Sequence, residues 1–199
     1  FDQRLKYFCA DKTTPIYEAR NLALEKCNGV VVAFLDCDDV WIKTKLAKQI
    51  SSYQSGNKIV YGKYENIDSC GKKINGGSKS LLSGMIANSL IRYNPISIGC
   101  VLIDIELLRK NQFDPKYNLL GDYDLWVRLS LKEPFAYVDG TIELSRQHDE
   151  NTSDILSDQW LYERRDFYRN FMKLASPFKY PSIFLYIIKT EIKGLSSAR

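Results

Sequence analysis

The stretch Val30-Val31-Val32-Ala33-Phe34-Leu35-Asp36-Cys37-Asp38-Asp39 decides the fold class. Its six uncharged residues, β-branched at the start, read as a strand, and an unbroken apolar run suits burial on both faces of a parallel sheet. Upstream, Tyr17 to Cys27 sets Leu22, Ala23 and Leu24 among Glu18, Arg20, Glu25 and Lys26, which predicts a helix stopped by Asn28-Gly29. Downstream, Trp41 to Tyr53 predicts a second helix with Ile42, Leu46, Ala47 and Ile50 on one side. Helix, strand, acidic cluster and helix make an α/β unit.

The rest of the chain extends that unit. Lys58–Tyr64 and Ile67–Ile74 read as strands joined by a turn at Asp68-Ser69-Cys70-Gly71. Leu81–Arg92 reads as a helix, Ser97–Ile103 as a strand and Ile105–Lys110 as a helix. Asp122–Leu131 is helical and closed by Pro134, followed by strands at Phe135–Val138 and Thr141–Ser145. Beyond Asn151 the chain reads as helical, broken at Pro177 and Pro181.

Composition excludes several classes. The 199 residues are 45% hydrophobic and 26% charged, enough to bury a core without a disulfide or metal staple. No apolar run approaches the ~18 residues of a membrane span. The five cysteines (Cys9, Cys27, Cys37, Cys70 and Cys100) are odd in number and lack CxxC or Cys/His ligand spacing, so they read as reduced thiols of a cytoplasmic protein. The net charge of +4 is unevenly spread: Leu161–Arg199 carries eight Lys or Arg against three Asp or Glu. Nothing else points to nucleic acid.

Two acidic clusters and one histidine carry the chemistry. Asp36 and Asp38 stand where an apolar strand runs out, the place where open α/β sheets bind ligands. Closely spaced carboxylates repel unless a cation neutralises them, and magnesium or manganese does so while holding phosphates. Asp39 reads instead as the N-cap of the helix entered at Trp41. In Gly121-Asp122-Tyr123-Asp124, Asp124 reads as a first-turn acid favoured by the helix dipole, while Asp122 is placed to act as a general base. His148 is the only histidine and lies just past a strand end among polar residues.

In this order the clusters resemble the inverting family 2 glycosyltransferases of the GT-A fold. Ala19-Arg20-Asn21 resembles that family's "ARN" helix. Phe34-Leu35-Asp36-Cys37-Asp38-Asp39-Val40-Trp41 is similar to its DxD segment, followed by Lys45-Leu46-x-x-Gln49. Asn94-Pro95-Ile96 resembles the acceptor-side strand. Asp122-Tyr123-Asp124-Leu125-Trp126 resembles its catalytic helix, and Arg146-x-His148-x-x-Asn151-x-Ser153 its closing stretch.

The resemblance implies an α/β GT-A domain over residues 1–153, with a mixed sheet flanked by helices, and a helical C-terminal extension over 154–199. It also implies that the family's first strand and helix precede Phe1, so that the chain is N-terminally incomplete. The activity implied is transfer of a sugar from a nucleotide-diphosphate donor, UDP-linked by preference, to a hydroxyl of a glycan or lipid-linked acceptor. Asp122 would be the base, Arg20, Asp36 and Asp38 would bind donor, and Asp38, Asp36 and His148 would hold Mn2+ or Mg2+. Trp126 and Ser97 would lie on the acceptor side. Where the family has Glu before the catalytic Asp, this chain has Gly121.

The basic, aromatic C-terminal helices either pack back on the domain or also touch an anionic membrane from its cytoplasmic side. A homodimer is a further expectation. Two rival readings remain at this stage: a haloacid-dehalogenase-type phosphatase using Asp36 and Asp38, and a degenerate transferase domain used for binding or assembly.

Overall fold

A computed structural model describes residues 2–78, 82–148, 151 and 156–196. Leu81, Ser153 and the 153/154 boundary lie outside the described residues. Helix α1 (Ile16–Lys26) leads to strand β1 (Val31–Ala33), the acidic loop, and a short strand β2 (Val40–Trp41). Helix α2 (Lys45–Gln54) and the long strand β3 (Ile59–Ile67) follow. A short helix α3 (Ala87–Leu90) and a 3-10 turn (Ile98–Cys100) precede β4 (Val101–Asp104) and α4 (Ile105–Lys110). Helix α5 (Gly121–Ser130), strand β5 (Ala136–Arg146) and helices α6 (Trp160–Leu174) and α7 (Pro181–Ser196) complete the fold.

The five strands form one mixed sheet in the order β1-β4-β3-β5-β2. Only β3 and β5 run parallel; the other pairs are antiparallel. The fold is that of an α/β GT-A-like domain with a helical C-terminal end. The expected parallel pairing of β1 is corrected. It lies at one edge against β4, and Val30 and Leu35 at its ends are 69% and 50% exposed. An apolar run satisfies burial rules equally well in either strand direction, so hydropathy does not distinguish them.

Several expected boundaries shift for local reasons. The pair of strands over Lys58–Ile74 is one strand plus an isolated bridge, Ile67 to Lys73. The Asp68 carboxylate accepts the N–H groups of Cys70 and Lys72 and makes the turn there. The strand expected over Ser97–Ile103 opens as a 3-10 turn, because the Ser97 hydroxyl caps Gly99 N–H. The two strands expected over Phe135–Val138 and Thr141–Ser145 are one continuous strand, Ala136–Arg146, irregular where Gly140 takes φ +91°. The helix expected from Leu81 is reduced to Ala87–Leu90.

Helix α2 departs most from its hydropathy pattern. Leu46 and Ile50 are 40% and 39% exposed, whereas Lys45 and Gln49 are fully buried. The inward residues are polar because backbone carbonyls face them. Gln49 Nε2 donates to Val60 O and Cys100 O at 3.0 Å each, and Lys45 Nζ donates to Gln49 Oε1 and lies 4.6 Å from the Trp41 ring centre. A buried network that satisfies its members ties α2 to both central strands.

One apolar cluster joins all layers: Tyr61 and Ile103 from the sheet, Trp126 and Leu129 from α5, Phe167 from α6 and Ile187 from α7. The C-terminal helices therefore pack back onto the body, and Pro181 opens α7 at the first helical position, where a missing N–H costs nothing. A single acid makes the joint. Glu163 of α6 is buried and accepts the N–H groups of Asn118, Leu119 and Leu120 at 2.7, 2.9 and 2.9 Å, fixing the turn that leads into α5. Glu163→Ala should orphan three donors and cost about 3 kcal/mol in urea unfolding; a loss under about 0.5 kcal/mol would show that water satisfies the turn equally well.

Candidate functional site

The sheet register brings the acidic loop to the end of β5. Antiparallel pairing sets Val40 opposite Leu144 and Trp41 opposite Glu143, so residues 38 and 39 run alongside 145 and 146. Arg146 then clamps the loop. Its backbone N–H donates to Asp39 Oδ1 at 2.8 Å, its Nε to Asp38 O at 2.8 Å, and its Nη1 to Asp68 O and Ser69 O at 3.0 Å each. Trp41 Nε1 holds the start of the loop, donating to Phe34 O and Gly99 O at 3.1 Å. The expected N-cap role of Asp39 is corrected: Val40–Trp41 is a strand, α2 starts at Lys45 after Thr44, and Asp39 serves Arg146.

The result is an open cleft of about 700 Å3 whose lining includes Arg20, Asp36, Asp38, Asp122 and His148. These come from α1, the acidic loop, α5 and the segment after β5. Arg20 Nη2 pairs with Asp36 at 2.8 Å, and His148 Nε2 lies 3.0 Å from Asp38 Oδ2. Asn21, next to Arg20, fixes α1 by exchanging hydrogen bonds with both backbone groups of Phe113. Asp122 sits across the cleft, accepting Tyr123 N–H at 2.7 Å and the Tyr17 hydroxyl at 3.2 Å, both on Oδ1. Burial pushes its carboxyl above the usual range, opposed by the Tyr123 N–H and by the charge of Arg20. A carboxylate so raised is a better proton acceptor near neutral pH.

Two expected site residues lie elsewhere. Trp126 is fully buried in the core, since α5 turns its apolar side inward, and does not line the cleft. Ser97 donates to Glu143 Oε1 at 2.9 Å and caps Gly99, so its hydroxyl is committed to the scaffold.

The donor chemistry fits a divalent cation in a limited way. Among the described residues no three His, Cys, Asp or Glu side chains converge as a metal cage. Asp38 and His148 do offer one oxygen and one nitrogen side by side, at 34% and 29% side-chain exposure. Such a pair suits an ion that takes its remaining ligands from phosphates and water. Asp36 is drawn toward Arg20, which leaves Asp38 and His148 as the fitting pair.

Glu143 was not a sequence candidate, because its alternation on β5 resembles that of any outward-facing acid. It is fully buried behind the acidic loop, so close to Gly99 that a Cβ there would lie 2.2 Å from its Oε1. Burial, reinforced by Asp39, raises its carboxyl to about 8. A folded-state value above the unfolded one means stability is fully present below about 4.5 and is lost as pH rises through about 8. Across that window Glu143→Gln should remove a slope of at most about 1.4 kcal/mol per pH unit. Urea denaturation of both proteins at pH 5, 6.5 and 8 measures it, and parallel curves would count against a buried neutral Glu143.

A family model, curated relatives and solved structures resemble this chain. The profile described as Glycosyl transferase family 2 matches residues 1–110. A relative from Escherichia coli, named UDP-Glc:alpha-D-GlcNAc-diphosphoundecaprenol beta-1,3-glucosyltransferase WfgD, is 32% identical over 64% of this chain and 49% of its own. An uncharacterized glycosyltransferase from Rickettsia conorii is 30% identical over 69% of this chain and 23% of its own. The chain thus spans less than half the length of either relative. Among solved structures, Staphylococcus aureus TarS 1-349 in complex with UDP-GlcNAc superposes with a TM-score of 0.57 at 15% identity, covering 81% of this chain and 55% of that one. That likeness carries the fold alone.

Proposed function

The chain belongs to glycosyl transferase family 2, and from that premise we propose that it moves a sugar from a nucleotide-diphosphate donor to an acceptor hydroxyl with inversion at the anomeric carbon. The observation that carries this reading is the cleft in which Arg20, Asp36, Asp38 and His148 face Asp122. Family membership displaces the phosphatase alternative.

The acceptor oxygen attacks the anomeric carbon, the bond from that carbon to the diphosphate oxygen breaks, and its electron pair leaves with the nucleoside diphosphate. Asp122 takes the acceptor's proton. A single displacement of this kind needs one base and no protein nucleophile, which agrees with the one carboxylate set apart from the other three. Arg20 and Asp36 shape the nucleotide side. Asp38 and His148 would hold Mn2+ or Mg2+, which supplies charge neutralisation to the departing diphosphate.

A UDP-linked donor and a lipid-linked acceptor are the preferred partners, because the Escherichia coli relative bears both in its name. Teichuronic acid and related envelope polymers are the setting suggested by a Bacillus subtilis relative named as a putative biosynthetic glycosyltransferase of that polymer. No described helix is long and apolar enough to cross a membrane. Peripheral contact through the C-terminal helices is part of the proposal, supported by Phe178 at 96%, Leu185 at 59% and Ile188 at 49% exposure beside Lys179 and Lys189. Phe178→Glu should reduce co-sedimentation with phosphatidylglycerol vesicles several-fold, whereas unchanged sedimentation would remove that surface from the proposal.

Calorimetric titration of UDP with and without manganese tests the chemistry. Wild-type binding should depend on manganese and weaken at least ten-fold in Asp38→Asn. Asp122→Asn should bind UDP as wild type does and lose transfer by about a hundred-fold or more, since only the base is removed. Equal loss of UDP affinity in both variants contradicts the assignment. Failure of a folded wild-type chain to bind UDP, GDP or TDP favours a binding or assembly domain.

A further inference from the structure

We propose that Tyr17 positions Asp122 and that Gly121 is the residue that admits it. The inference rests on Asp122 being the base. Gly121 is the first residue of α5, and a Cβ built there would lie 2.5 to 2.6 Å from Cδ2, Cε2 and Cγ of the Tyr17 ring. The ring and any side chain at 121 therefore exclude one another. The remaining sides of the ring are equally closed: Phe113 stacks on it at 5.5 Å and 29°, and the Arg20 guanidinium carbon lies 5.3 Å from its centre. Tyr17 is left 4% exposed.

From this seat the hydroxyl reaches two acceptors, Leu119 O at 3.1 Å and Asp122 Oδ1 at 3.2 Å. It has one hydrogen to share between them. Burial drives the phenol's pKa far upward, so it remains a donor at any working pH. Leu119 is itself anchored by Glu163, which makes the hydroxyl's other acceptor a fixed point. Oδ1 of Asp122 thus receives Tyr17 from outside its helix and Tyr123 N–H from within it. Both of these hydrogen bonds fall on Oδ1, which leaves Oδ2 to take the acceptor's proton. The groups facing the carboxyl are Tyr17 and Arg20 of α1, Tyr64 of β3 and, across the cleft, Asp36, Asp38 and His148; of these side chains Tyr17 alone hydrogen-bonds to it.

The arrangement has an atomic economy that a purely packing role would lack. A phenylalanine at 17 would keep every ring contact and lose only the hydrogen bond to Asp122 and Leu119. An alanine at 121 would keep the hydroxyl but push it away. Both changes should therefore act on the same carboxyl, by different routes.

The test is a carbon-13 carboxyl titration followed by NMR in the wild-type chain, Tyr17→Phe and Gly121→Ala, with the Asp122 resonance assigned by its loss in Asp122→Asn. Near-ultraviolet circular dichroism and urea unfolding check that each variant is folded. Removal or displacement of the hydroxyl takes a donor from the charged form, so the apparent pKa of Asp122 should rise by about one unit in both variants. An Asp122 that titrates as in wild type in either folded variant overturns the proposal. Should Tyr17→Phe not fold, Gly121→Ala decides alone.

A kinetic arm uses UDP-glucose with GlcNAc-diphosphoundecaprenol. Tyr17→Phe should lower kcat about ten-fold, leave the donor KM unchanged and move the acid limb of the pH profile upward. A Tyr17→Phe enzyme with wild-type kcat and pH profile, beside an inactive Asp122→Asn, overturns the role of Tyr17 alone. Undiminished turnover by Asp122→Asn instead overturns the base assignment on which it rests.

Discussion

Four carboxylates around one cleft set the terms for everything else in this domain. Asp36, Asp38, Asp39 and Asp122 all line the same open space, and unpaired they would repel one another and splay the loop that carries three of them. Each has instead a specific partner: Arg20 donates to Asp36, the Arg146 N–H to Asp39, and Tyr123 N–H with Tyr17 to Asp122, while His148 Nε2 lies 3.0 Å from Asp38. Two of these donors are arginines held by further contacts, so their positions are not free to drift with the acids. The cleft can therefore keep a high local density of negative charge without a loose loop. That is the condition under which a cation or a diphosphate bound with its cation finds fixed ligands rather than having to order them.

The register of β5 performs that fixing. Its parallel pairing with β3 and antiparallel pairing with β2 leave no freedom to slide without moving alternate side chains to the wrong face. Arg146 sits at its last residue, and the side chain spans from Asp38 O to Asp68 O, joining the loop before β2 to the turn after β3. Behind the loop, Trp41, Lys45, Gln49 and Glu143 fill the interior with polar groups where a more ordinary domain would use aliphatic ones. For Trp41, Lys45 and Gln49 the cost of burial is offset by hydrogen bonds to backbone carbonyls, whereas Glu143 is held through the Ser97 hydroxyl.

The readability of this molecule from its sequence divides along the range of its contacts. Helix α1, the acidic loop, α4 and α5 follow from local periodicity and end signals, and the five cleft residues Arg20, Asp36, Asp38, Asp122 and His148 follow from motif order. What escaped depends on partners far away in the chain. The expected apolar side of Ile42, Leu46, Ala47 and Ile50 is not the buried one, because Lys45 and Gln49 of α2 turn inward to partners that only the fold brings to them, Val60 and Cys100 among them. Asp39 has the residue type of a cap, yet its partner is 107 positions distant. Trp126 follows the acidic pair in the motif and stands on the same side of α5 as Asp122, but one turn of about 6 Å further along the helix carries it away from the cleft and into the core. The strand direction of β1 is likewise a property of its neighbour, which hydropathy does not encode.

Helix α1 shows how little material links the two halves of the proposed reaction. It has no side-chain cap, so tertiary contacts rather than intrinsic propensity must hold it. Tyr17 and Arg20 are one turn apart on one face, separated by only about 4.5 Å along the axis. The first hydrogen-bonds to the acid proposed to take the acceptor's proton, and the second pairs with the acid proposed to face the donor. Asn21 on the adjoining position locks the helix to Phe113, and the Phe113 ring in turn stacks on Tyr17. A displacement of this one helix would therefore disturb base and donor site together. The proposed chemistry would require that helix to stay in place, because attack and departure would occur at opposite ends of one short line of atoms.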